Sequence, residues 1–112
     1  CAPSVPIGAY TAQALAKAGV TVKFASLEPD VRGIVTKVSS GEADAGIVYA
    51  TDVAASMAVT GVAIPSDLDI VATYPIAALG DSTNPTTARA WIDFVTSPAG
   101  RAILADFGFG AP

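Results

Sequence analysis

The sequence predicts an α/β chain with a parallel or mixed sheet flanked by helices, and three observations carry that expectation. Two stretches, Ala9 to Ala18 and Val31 to Ser39, have helical composition, and the second sets Val31, Ile34, Val35 and Val38 on one face. Several short apolar runs of strand length lie between turn residues: Val20 to Ala25, Ala45 to Val48, Val62 to Ile64 and Asp69 to Leu79. The two kinds of segment alternate along the chain, which is the order that builds helices onto the faces of a sheet.

Each element has a local reason. Val5-Pro6-Ile7-Gly8 leads into the first helix, and Gly19 closes it as a C-cap. Val20 to Ala25 follows as a strand, broken by Leu27-Glu28-Pro29. Asp30 caps the second helix, in whose first turn Arg32 stands against the dipole preference. Ala45 to Val48, between acidic residues and Thr51-Asp52, is a buried strand with Tyr49 at its carboxyl end, where open α/β sheets bind ligands. A short helix is expected over Asp52 to Met57. The long run Asp69 to Leu79 is interrupted by Tyr74-Pro75, which demotes it to an edge or crossing segment. Asn84-Pro85 caps and starts a helix through Val95, and Ser97-Pro98 starts another through Phe107, ended by Gly108. Trp91, Ile92, Val95, Ile103, Leu104 and Phe107 are expected to face a core.

Composition narrows the function. With 112 residues, 52% of them hydrophobic, and a mean hydropathy of +0.54, the chain is long and apolar enough for one real core. Its longest uncharged stretch, Val53 to Ser66, holds Ser56, Thr60, Gly61 and Pro65, so no segment reads as a membrane span. The net charge is −4 and the six basic residues are scattered, which supplies no cationic stripe for nucleic acid. With no His and a single Cys, His-based catalysis, the usual zinc ligands and an intrachain disulfide are all excluded. Cys1 reads either as a lipid-bearing first residue or simply as the point where a piece of a longer chain begins.

Three positions carry binding chemistry. The backbone at Ile7-Gly8 opens one helix and that at Val31 opens another, and helix N-termini present uncommitted amides at the positive end of a dipole. Tyr49 adds a hydroxyl at a strand end. Each also has an ordinary structural reading: every helix has such an end, and a strand-end Tyr commonly packs its ring in the core.

Several stretches together resemble the periplasmic molybdate-binding proteins of ABC transporters: Val5-Pro6-x-Gly8-x-Tyr10, Asp30-Val31-Arg32-Gly33, Gly41 to Asp52, Tyr74-Pro75-Ile76, Asn84-Pro85 and Ser97-Pro98 to Phe107-Gly108-Phe109. They occur in the family's order over nearly the whole chain. The resemblance implies one lobe of the two-lobed type II periplasmic-binding-protein fold, with a mixed, mostly parallel sheet. It places residues 1–70 in the middle lobe, 71–84 in a crossing segment, and 85–112 in C-terminal helices that normally pack on the other lobe, whose main part would lie before Cys1. It carries the oxyanion contacts onto the amides of Ile7 and Val31 and the hydroxyl of Tyr49, and it favours the second reading of Cys1. The family has a small residue more often at position 7, and Ile there is expected to narrow the site and bear on selectivity.

The function implied is the solute-binding component of an ABC importer: extracytoplasmic, not an enzyme, with a membrane permease and the N-terminal lobe as partners. Its ligand is molybdate or tungstate, with no cofactor, and molybdenum is held as its oxyanion with no direct metal ligand. The alternatives are another tetrahedral oxyanion such as sulfate, or the effector lobe of a transcription regulator whose DNA-binding helices lie elsewhere.

Overall fold

A computed structural model of the chain describes residues 1–110. It contains five helices among these residues: α1 (Pro6–Ala18), α2 (Val31–Ser39), α3 (Ala50–Ala54), α4 (Pro85–Thr96) and α5 (Pro98–Asp106). The chain divides into two compact units, Cys1–Val71 and the stretch from Ala72 onward. None of these helices is long and apolar enough to cross a membrane.

The helices are bounded by the residues whose chemistry demands it. Pro6 fills the first position of α1, where a missing N–H costs nothing, and Gly19 ends it in the left-handed region with φ of 65°. The Asp30 carboxylate accepts from the Gly33 N–H at 2.9 Å, and Ser97 Oγ accepts from the Gly100 N–H at 3.2 Å, so both residues cap as their side chains allow. Asn84 precedes α4 without capping it through its side chain; its amide instead donates to Thr83 Oγ1 at 3.2 Å. The short helix begins earlier than the expected Asp52. Asp52 is its third residue, and its carboxylate accepts from the Tyr49 N–H at 3.0 Å. A carboxylate reaching back from the third position makes Tyr49 the N-cap and draws the helix start toward it.

The expected strands are the main difference. Among the described residues there is no strand: Val20 to Ala25, Ala45 to Val48, Val62 to Ile64 and Asp69 to Leu79 run as irregular chain without a ladder. An apolar run becomes a strand only where a second run lies alongside, about 4.7 to 4.9 Å away and in register. Hydropathy reports a preference for burial and says nothing of that partner. In Ala45 to Val48 the packing is instead onto a helix, because a Cβ added at Gly46 would lie 2.2 Å from Ile34 Cγ2 of α2.

The unit Cys1–Val71 is held around α1, where Ile7 and Ala14 are its buried apolar residues and Thr11 is buried with its hydroxyl donating to the Ile7 carbonyl at 2.7 Å. Lys17 reaches from the last turn of α1 to the Asp69 carbonyl at 3.1 Å. The apolar face of α2, Ile34, Val35 and Val38, with the 45–48 and 59–64 segments, lines a cavity of about 580 Å³.

In the other unit α4 and α5 meet at a corner so tight that a Cβ at Gly100 would lie 2.3 Å from the Phe94 carbonyl oxygen. The core expected there is not enclosed. Trp91 is 60% and Phe107 63% exposed, and Ile103 and Leu104 are also exposed. Two helices cover only one side of each other, so a stripe on the opposite side stays in water unless a further layer is added.

Candidate functional site

The first turn of α1 commits its backbone donors in a way that leaves one of them over. Pro6 has no N–H, while the Gly8 and Ala9 amides both donate to the Val5 carbonyl, at 3.0 and 3.2 Å. The Ile7 N–H has no acceptor among the described residues. Ile7 is only 6% exposed, so the bulk of its side chain is packed within the unit. At α2 the Gly33 amide is taken by Asp30, and the Val31 N–H is one of the uncommitted donors that every helix start leaves.

Tyr49 caps α3, and its ring meets that of Tyr10, with centroids 6.4 Å apart and an interplanar angle of 70°. This edge-to-face contact sets Tyr49 beside the first turns of α1, where Tyr10 stands one turn beyond Ile7. Val31 opens α2, the helix that packs against α3. Tyr10 was legible only as part of the Pro6-x-Gly8-x-Tyr10 motif; its pairing with Tyr49 spans nearly forty positions and has no spacing signal.

A second arrangement joins the segment ahead of α1 to α2. The Ala2 N–H, just ahead of α1, donates to the Glu28 carbonyl at 2.9 Å. The Glu28 carboxylate accepts from Lys37 of α2 at 2.9 Å and from the Ser26 hydroxyl, and Lys37 also donates to Ser26 Oγ at 2.9 Å. The Lys37 hydrogen bond, then that of Ser26, hold the Glu28 carboxyl below its ordinary value of 4.5, while Glu28 raises the Lys37 ammonium. A carboxylate whose pKa is depressed on folding adds stability that is present above the unfolded value and disappears as pH falls through the lower folded one. The raised ammonium adds stability that disappears only as pH climbs through its folded value. The Glu28–Lys37 pair should thus be at full strength between the ordinary values of 4.5 and 10.5 and weaken as pH falls below the first or climbs past the second, read as the pH dependence of the Glu28 and Lys37 side-chain signals by NMR.

The 580 Å³ cavity is a poor anion site. It is lined mainly by Val, Ile and Ala, and the charged residues on it are Asp44 and Asp69, which repel a dianion.

A match to the family model of bacterial extracellular solute-binding proteins covers residues 1–110, and the chain belongs to that family. Among curated relatives it is similar to the molybdate-binding protein ModA of Mycobacterium bovis, 38% identical over all of this chain and 43% of that protein. It is likewise similar to the Escherichia coli molybdate-binding protein ModA, 37% identical over 94% of this chain and 42% of that one. A putative ABC transporter substrate-binding lipoprotein of Bacillus subtilis, YvgL, is 30% identical over 96% of this chain and 43% of its own length. The chain thus spans less than half the length of these relatives. No solved structure matches it.

Proposed function

We propose that this chain supplies one side of an oxyanion site in a solute-binding protein of an ABC importer, with molybdate or tungstate as ligand. The observation that carries this reading is the Ile7 amide, a donor without an acceptor among the described residues, on a residue 6% exposed. A buried unpaired donor costs about 1 to 3 kcal/mol, which an acceptor oxygen from a ligand removes. Supporting it are the position of Tyr49 against α1 through Tyr10 and the molybdate binding of the ModA relatives. The Val31 amide at the second helix start and the Tyr49 hydroxyl complete the set. The chemistry is dehydration of a tetrahedral dianion and its replacement of water by neutral donors and helix dipoles, which requires no counter-charge.

The same reading assigns the four unpaired apolar runs to a mixed, mostly parallel sheet in the two-lobed fold, residues 1–70 to the middle lobe, 71–84 to a crossing segment and 85–112 to helices that pack on the other lobe. The exposed Trp91, Ile103 and Phe107 support that last assignment, since a lobe laid on them removes apolar surface from water. It places the protein outside the cytoplasmic membrane with a permease as partner.

The test is Tyr49→Phe in a protein of the relatives' full length. A hydrogen bond to a charged acceptor contributes roughly 1.5 to 3 kcal/mol, so the molybdate dissociation constant should rise by about tenfold or more. An unchanged calorimetric affinity returns Tyr49 to a packing role; tighter binding of sulfate than of molybdate would change the ligand.

A further inference from the structure

We propose that Glu28 is a positioning residue for the oxyanion site, tying the first turn of α1 to the first turn of α2 so that the Ile7 and Val31 amides keep a fixed separation. This rests on the reading of those amides as ligand donors. Glu28 lies in the connection ahead of α2 and uses both of its acceptor groups, one in each direction. Its carbonyl takes the Ala2 N–H at 2.9 Å, and the Cys1-Ala2 backbone is itself pressed onto the start of α1, since a Cβ at Gly8 would stand 2.0 Å from the Ala2 oxygen. Its carboxylate takes Lys37 Nζ at 2.9 Å, two turns along α2, and the Ser26 hydroxyl.

The contact with α2 is steric as well as electrostatic. A Cβ at Gly33 would lie 3.0 Å from Glu28 Oε2 and 3.2 Å from its Cβ, so the side chain lies over the first turn of that helix, where Asp30 holds the Gly33 amide at 2.9 Å. Two helix termini that donate to one small anion must be held to within a few tenths of an ångström, because donors that are too far apart lose one of the two bonds. An isolated exposed ion pair contributes little stability. Here it restricts geometry: its hydrogen bonds join Ala2, ahead of α1, to Lys37 in the last turn of α2, while its side chain lies against the first turn of α2 at Gly33.

The experiment uses the 112-residue chain, labelled with nitrogen-15, with sodium molybdate as the probe. Glu28→Gln keeps the carbonyl and the shape but removes the charge; Lys37→Met removes the partner; Lys37→Arg restores a donor. In the first two variants amide exchange at Ala2 and Gly33 should rise about tenfold while the rest of α1 and α2 keeps its protection. The Ile7 and Val31 amide signals should shift without ligand, and half-saturation by molybdate should move to about fivefold higher concentration, with Lys37→Arg close to the parent chain. Exchange and half-saturation within about twofold of the parent chain in both variants would overturn the role of Glu28 alone, as would an equal rise in exchange throughout residues 1–71. If Ile7 and Val31 show no molybdate-dependent shift in a protein of the relatives' full length either, the oxyanion reading fails and this role with it.

Discussion

Titrated with molybdate in isolation, the 112-residue chain is expected to bind with a dissociation constant of about 1 mM or weaker, since that constant corresponds to roughly −4 kcal/mol. The donors at Ile7, Val31 and Tyr49 offer three charge-assisted hydrogen bonds, which at roughly 1.5 to 3 kcal/mol each come to about 5 to 9 kcal/mol gross. Association itself costs an estimated 4 kcal/mol or more, which leaves a small surplus. Water also reaches whatever side of the anion these donors leave uncovered, and its competition lowers each bond toward the neutral value. In a protein of the relatives' full length, donors added from the rest of the chain should tighten binding by orders of magnitude. Calorimetry on the 112-residue chain decides it: a submicromolar constant for a monomer would mean that the site is already whole and that the half-site reading is wrong.

Replacing Gly8 by Ala should destabilise the unit Cys1–Val71 by about 1 to 3 kcal/mol, the usual range for overpacking. Two effects oppose each other. Within a helix Ala is favoured over Gly by about 0.8 to 1.0 kcal/mol. Against this, the new Cβ would meet the Ala2 carbonyl oxygen at 2.0 Å and its carbon at 2.7 Å. These are backbone atoms, which cannot swing aside as a side chain can, so the clash wins. Relief requires moving the Cys1-Ala2 backbone, which strains the hydrogen bond from Ala2 to Glu28 at the same time. At roughly 4 to 8 °C per kcal/mol for a domain of this size, thermal unfolding should show the loss clearly. Gly80→Ala is the control, because no atom lies within 4 Å of the added Cβ and no positive φ is required there. Its expected effect is neutral, or a gain of about 0.4 to 1 kcal/mol from a less flexible unfolded chain. Equal melting of the two variants would remove the close approach at Gly8 as an explanation of why glycine stands there.

Where the chain marks its own boundaries, the sequence is explicit. Gly19, Asp30, Pro85, Ser97 and Pro98 act on neighbours within four positions, and the helices they bound begin and end within a residue or so of expectation. The helix starts at Ile7 and Val31, and with them their uncommitted amides, follow from the same local rules. Family membership was legible for a related reason, since its motifs are short stretches of local chemistry repeated in order along the chain.

Tertiary structure decided what depends on distant partners. No pattern within Ala45 to Val48 says whether another run lies beside it, and there it packs on Ile34 of α2 in place of a ladder. Nor do Trp91, Ile103 and Phe107 state what covers them; with α4 and α5 packed on one another they stay exposed. The edge-to-face pairing of Tyr10 with Tyr49 and the joining of Ala2, Glu28 and Lys37 are likewise decided by the folded chain. Caps and turns are local because a residue's backbone preferences and short side chain reach only its near neighbours, whereas strand pairing, helix cover and site assembly bring together residues whose separation in sequence carries no record of their distance in space.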